Sequence, residues 1–146
     1  METITKSPEA TYQLGEKIGA SLAISHQPSV IALVGDLGSG KTTFVQGLAK
    51  GLGIEKKIIS PTFILMRSYK IQNTKYQILN LYHIDLYRLE GNVAEEAKNL
   101  GLTDIWGKKD NIVVIEWAEK IKKILPKETK WIKFENMGEN ERKIIA

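Results

Sequence analysis

The sequence predicts an α/β fold in which helices flank a mixed sheet that includes an antiparallel hairpin. Three observations carry this expectation. Val30-Ile31-Ala32-Leu33-Val34 is apolar without alternation, the pattern of a strand covered on both faces. It runs into the glycine-rich segment Gly35-Asp36-Leu37-Gly38-Ser39-Gly40-Lys41-Thr42, after which Phe44, Val45, Leu48 and Leu52 mark one helical face. Ile112-Val113-Val114-Ile115 is a second continuously apolar strand, closed by Glu116. A buried strand, a glycine-rich loop with Lys-Thr at its end and an amphipathic helix make the expected fold P-loop NTPase-like.

The elements follow in order. Ser7 before Pro8 is an N-cap and first-turn proline, and Leu14, Ile18 and Leu22 recur at helical spacing, which predicts a helix over residues 8–23. Residues 25–29 break it, and residues 30–34 read as a buried parallel strand. The helix after the glycine-rich loop is expected to end at Gly51 or Gly53. Residues 63–71 and 75–85 are β-rich and separated by Asn73-Thr74, an antiparallel hairpin whose second arm puts Leu79, Leu81, His83 and Asp85 on one face. Short helices are expected over 94–99 and 102–106, divided by Gly101, and a last helix over 118–125 stops before Pro126. Residues 130–135 and 142–145 form a final hairpin around Gly138. With no linker, repeat or low-complexity tract, residues 1–146 are read as a single domain.

Composition narrows the function classes. The chain has 146 residues, 42% hydrophobic and 26% charged, and its longest aliphatic runs fall far short of the ~20 apolar residues of a membrane-spanning helix. No apolar export segment follows Met1, so a cytoplasmic location without membrane contact is expected. The absence of Cys removes disulfides, a thiolate nucleophile and sulfur-based metal sites. A net charge of +4 invites a nucleic-acid reading, but the excess is small and late. Basic against acidic residues number six to five over 1–60, four to four over 61–97 and eleven to eight over 98–146. Lys120, Lys122 and Lys123 lie opposite Ala118, Ile121 and Ile124 and read as a solvated helix face.

The segment 35–42 fits G-x-x-x-x-G-K-[ST] without a mismatch, between the strand and helix that this motif requires. Glycines let successive N–H groups turn inward around an anion, and the following helix aims its positive end at the same point. Lys41 adds a mobile cation for the β- and γ-phosphates of a nucleotide, and Thr42 a hydroxyl for Mg²⁺. A triphosphate site needs a further carboxylate, and two close strands here: Glu116 and Asp85. One would hold the metal, directly or through water, and the other orient the attacking water; spacing does not assign the roles.

Ser60-Pro61-Thr62-Phe63, His83-Ile84-Asp85-Leu86-Tyr87-Arg88-Leu89 and Glu116-Trp117 follow the phosphate loop in this order. With the loop Gly35-Asp36-Leu37-Gly38-Ser39-Gly40-Lys41-Thr42-Thr43, they make the chain resemble the TsaE (YjeE) family of small bacterial ATPases over almost its whole length. The resemblance implies an ATP-hydrolysing component, with Mg²⁺, of the machinery that makes N6-threonylcarbamoyladenosine at position 37 of tRNAs, acting with TsaB and TsaD and reaching tRNA indirectly through that complex. It further implies that Gly38, Ser39, Gly40, Lys41, Thr42 and Thr43 wrap the phosphates, with Thr42 and Glu116 on the metal. Thr62 would sense the γ-phosphate from a switch loop, Asp85 would be a second acidic site residue, and Trp117 would report nucleotide binding.

Other readings compete. A small P-loop kinase phosphorylating a small-molecule acceptor needs an acceptor pocket and usually an Arg-bearing lid, yet Arg occurs only at 67, 88 and 142 and nothing resembles a lid. A GTPase needs N-K-x-D after a late strand, where this chain has Glu116-Trp117-Ala118-Glu119, which favours adenine. A nucleotide-gated binding module is compatible with the ATPase reading. His83 and Arg88 read first as hydrogen-bonded or salt-bridged structure, His26 as loop, and Trp106 and Trp131 as core or interface aromatics.

Overall fold

The computed structural model describes residues 1–25, 29–61, 64–71 and 80–146. Strands β1 (Glu2–Thr5), β2 (Ser29–Val34), β3 (Met66–Lys70), β4 (Asn80–Asp85), β5 (Asn111–Glu116), β6 (Lys130–Asn136) and β7 (Arg142–Ile145) form one sheet in the order β1-β7-β6-β2-β5-β4-β3. β2 lies parallel to β5 and β6, and β5 parallel to β4. β3 runs antiparallel to β4, and β7 antiparallel to β6 and β1. The sheet is therefore mixed, with a parallel centre and antiparallel margins, as the sequence predicts.

Helix α1 (Pro8–Ser25) starts where Ser7 Oγ accepts the Ala10 N–H at 3.1 Å, the expected cap. It packs with α2 (Lys41–Gly51) on one face of the sheet. Ile31 and Leu33 of β2, Ile112 and Val114 of β5, and Phe44 and Leu48 of α2 are buried together there. The other face carries α3 (Val93–Asn99) and the 3₁₀ turns Leu102–Asp104 and Ala118–Ile124. Val30, Ala32, Val113 and Ile115 meet Ala97, Leu102 and Ile121 on that side. The unbroken apolar runs of β2 and β5 thus divide by the two-residue period of a strand between two cores.

The arms of the predicted hairpin pair from Met66↔Ile84 to Lys70↔Asn80, while its turn at Asn73-Thr74 lies outside the described residues. Three local expectations need correction. β1 is not expected from the sequence: Thr3, Ile4 and Thr5 are β-branched, but four residues are too few to establish a period, and the strand forms against the edge of β7. The turn before Trp106 is a single 3₁₀ turn. The segment after Trp117 is 3₁₀ with a break at Ile121 (φ −126°, ψ 24°), not a continuous α-helix.

The α1–α2 contact is unusually close because glycines face it from both sides. A Cβ on Gly15 or Gly19 would fall on the carbonyl oxygens of Phe44 or Leu48, and one on Gly47 or Gly51 on those of Tyr12 or Glu16. The Gly-x-x-x-Gly spacing on each helix aligns with backbone on the other. Gly51 ends α2 as expected, but its neighbours show a packing role. Helix propensity favours Ala over Gly by ~1 kcal/mol in a helix interior, whereas forcing backbones apart in a packed core costs typically 1–3 kcal/mol. Packing wins here. Gly47→Ala is expected to lower stability by about 1–3 kcal/mol in urea denaturation, while Gly138→Ala, which meets open space, stays within about 0.5 kcal/mol of the parent.

Candidate functional site

β2 ends at Val34 and α2 begins at Lys41, so residues 35–40 connect a buried strand to a helix N-terminus within one tight loop. Gly40, the residue before α2, has φ 96°, a left-handed conformation that an L side chain resists. Ser39 N–H donates to Asp36 O at 3.1 Å, and Phe44 N–H to Gly40 O at 2.9 Å. The Ser39 side chain is 1% exposed and its Oγ has no hydrogen-bond partner among the described residues. A pocket of about 300 Å³ opens over this loop. Gly38, Ser39, Gly40, Lys41, Thr42 and Thr43 all line it, together with Asp85, Glu116 and Trp117. Thr62 and Phe63 lie outside the described residues, as does His26; Ser60, of the same segment as Thr62, lines the pocket.

Lys41 is 5% exposed. Its Nζ donates to the carbonyls of Gly35 and of Asp36, the latter at 3.2 Å, and lies 4.2 Å from the centre of the Trp117 ring. Burial holds its pKa below the usual lysine value, and the carboxylates of Glu116, Glu119, Asp85 and Asp36 oppose that shift.

The parallel pairing of β4 with β5 sets Asp85 opposite Glu116, so the two carboxylates leave neighbouring strand ends together. Both are buried. Thr42 Oγ1, at the head of α2, lies 3.5 Å from each carboxylate oxygen of Glu116. That exceeds the usual ~2.7–2.8 Å of a hydroxyl hydrogen bond, and hydroxyl and carboxylate instead face each other across the pocket floor. Asp85 Oδ1 accepts the Tyr87 N–H at 2.9 Å and so caps the turn that follows it. His83 is fully buried and its Nε2 lies 2.6 Å from Glu116 Oε2. Among the described residues no three carboxylate or imidazole groups are arranged to hold a metal by themselves. The Thr42 hydroxyl and the Glu116 carboxylate facing it, with Asp85 at the neighbouring strand end, fit a Mg²⁺ that takes its remaining oxygens from phosphates and water.

Several neighbours escaped sequence reasoning. Lys120, expected on a solvated face, donates to the carbonyls of Leu86, Tyr87 and Leu89 at 2.8–3.1 Å and so fastens the turn after Asp85. Trp117 takes φ 60° and its ring lies 5.3 Å from that of Tyr87. Arg142 crosses from β7 to donate to Gly38 O at 3.0 Å, while its other nitrogen holds the carbonyls of Gly138, Glu139 and Glu141. Thr11, Asn140 and Arg142 line the pocket with the loop. No sequence spacing marks them, because the contacts span more than a hundred residues or arise from α1 packing. Arg88 is exposed, and Trp106 and Trp131 pack against the second core as expected.

A phosphate-loop motif between a buried parallel strand and a helix, faced by a carboxylate at the end of the adjacent strand, defines the P-loop class of α/β proteins. Residues 5–144 match the family described as threonylcarbamoyl adenosine biosynthesis protein TsaE, and the chain belongs to it. It is 37% identical over 140 residues to the tRNA threonylcarbamoyladenosine biosynthesis protein TsaE of Bacillus subtilis, covering 96% of this chain and 80% of that protein. The Treponema pallidum protein of the same name is 36% identical over 147 residues, covering 100% of this chain and 99% of its own. The crystal structure of Bacillus subtilis YdiB superposes with a TM-score of 0.68 at 34% identity, over 99% of this chain and 82% of that one. No helix among the described residues is long and apolar enough to cross a membrane.

The Arg142 contact generates a test. Arg142→Ala removes the tie between the β7 hairpin and the loop, and nucleotide affinity measured by calorimetry is expected to fall roughly tenfold, the equivalent of ~1.4 kcal/mol, with a melting temperature close to the parent's. Unchanged affinity would show that the loop holds its shape without the arginine.

Proposed function

We propose that this chain is the ATP-hydrolysing component of tRNA N6-threonylcarbamoyladenosine biosynthesis, working in the cytoplasm as one P-loop unit over residues 1–146. One observation carries the chemistry: Thr42 at the head of α2 faces Glu116, with Asp85 at the neighbouring strand end, above a loop whose motif is built for phosphate. Family membership supports the pathway.

In this reading the backbone N–H groups of residues 38–43 bind the phosphates, and Lys41 exchanges its loop carbonyls for phosphate oxygens. Burial helps, because a cation held in a site of low dielectric interacts more strongly with developing negative charge than one in water. Thr42 and Glu116 would hold Mg²⁺, which supplies charge neutralisation at the transferred phosphoryl group when bound. Asp85, fixed by the Tyr87 N–H at one oxygen, orients the attacking water. Thr62 senses the γ-phosphate. The output is a nucleotide-dependent change in grip on a TsaB–TsaD pair, through which the chain acts on tRNA without reading it directly.

Lys41→Ala and Thr42→Ala are expected to weaken Mg-ATP binding at least tenfold by calorimetry, since each removes a charged or metal contact. Glu116→Ala and Asp85→Ala are expected to lower turnover a hundredfold or more while melting near the parent. Parent-like binding in the first pair would defeat the phosphate assignment, and parent-like turnover in the second pair the carboxylate assignment.

For the switch, affinity for the TsaB–TsaD pair is to be measured by interferometry in ATP, ADP and no nucleotide. Different affinities are expected, and by linkage the pair alters nucleotide affinity by the same factor. Equal affinities in all three states would favour a free-standing ATPase or a kinase.

A further inference from the structure

Glu116 is 3% exposed, and a carboxyl group so far from water needs hydrogen-bond partners in water's place. The short donor it has comes from β4. His83 pairs with Val114 in the β4–β5 register, two residues before the Asp85↔Glu116 pair and on the same face as both carboxylates. Its Nε2 lies 2.6 Å from Glu116 Oε2, a short contact just below the ~2.7–2.9 Å of a charge-assisted N–H···O hydrogen bond.

The bland alternative is a histidine that merely completes the core. Two facts oppose it. The ring is fully buried, with Leu81 and Val114 as apolar neighbours on its sheet face and Arg67 opposite it on β3, so apolar packing alone does not account for an imidazole there. The other ring nitrogen, Nδ1, has no hydrogen-bond partner among the described residues, which costs free energy that an apolar residue would not incur. A side chain kept at this cost, with its Nε2 hydrogen-bonded to Glu116, serves that carboxylate.

We propose that His83 is a positioning residue: its Nε2–H holds Oε2 of Glu116 and thereby fixes for the cation a carboxylate whose two oxygens both lie 3.5 Å from the Thr42 hydroxyl. This rests on the Mg-nucleotide reading of the site. Donors that fix a ligating carboxylate commonly govern metal affinity by 10–100-fold without touching the metal. His83 is not among the residues lining the pocket over the loop, so phosphate binding by the loop is expected not to depend on it.

The test titrates Mg²⁺ by calorimetry into the full chain with ADP, for the parent, His83→Leu and His83→Gln, beside ADP binding without metal and thermal melts. His83→Leu removes the donor; His83→Gln keeps an N–H at similar reach. The expected result is unchanged metal-free ADP affinity in all three, a roughly tenfold or greater rise in the Mg²⁺ needed for half-saturation with His83→Leu, and recovery to within about threefold of the parent with His83→Gln. His83→Phe is the apolar variant should His83→Leu fail to melt cooperatively. The proposal is overturned if a folded apolar variant takes up Mg²⁺ like the parent, or if His83→Gln is as impaired as the apolar variant. A parent whose ADP binding ignores Mg²⁺ overturns the underlying metal reading instead.

Discussion

The contact between α1 and α2 constrains everything built above it. Carbonyl oxygens of each helix lie where side chains on the other would begin, so Gly15, Gly19, Gly47 and Gly51 fix the helix separation at backbone distance. α2 cannot slide or tilt without driving backbone into backbone. Since Lys41 and Thr42 are its first residues, the glycine contact also fixes the direction in which the helix N-terminus points and the place where its positive end is felt. The edge-to-face contact of Phe44 with Phe134 then ties the same helix to β6.

Above this base the strand ends carry an expensive arrangement. Lys41, Asp85, Glu116 and His83 are all buried, and buried charge is tolerated only where partners replace water. Lys41 has loop carbonyls and the Trp117 ring; Glu116 has His83 and, at longer range, Thr42. Trp117 reaches over the lysine from a left-handed backbone, a conformation a bulky residue adopts only when its surroundings impose it. Such costs gather at sites whose chemistry needs them, since a site optimised for stability would hold apolar side chains at these strand ends.

The rim is held by long cations that act on backbone rather than on carboxylates. Lys120 gathers three carbonyls of the turn after Asp85, and Arg142 joins the β7 hairpin to Gly38. Each links a segment carrying a site residue to an element distant in sequence. Loop shape therefore follows from the assembled sheet as well as from local glycine content. The same dependence explains β1, which forms against β7 although its four residues are too few to establish a strand period.

Much of this was legible in the sequence. The mixed α/β class, the phosphate loop, both carboxylates and the capped first helix followed from local rules: unbroken apolar runs for two-sided burial, glycine spacing for an anion cradle, Ser-Pro for a helix start. Those signals act within a few residues, where covalent geometry and periodicity decide the outcome. What lay outside them was settled by packing. The roles of His83, Lys120 and Arg142, the bend at Ile121 and the glycine contact between α1 and α2 depend on which strand lies beside which and on how closely two helices approach. Parallel register alone brings Asp85, Glu116 and His83 to one end of the sheet from segments some thirty residues apart. A side chain's partner across such a distance has no periodic mark, because its position is fixed by three-dimensional closure of the sheet and not by the chain around it.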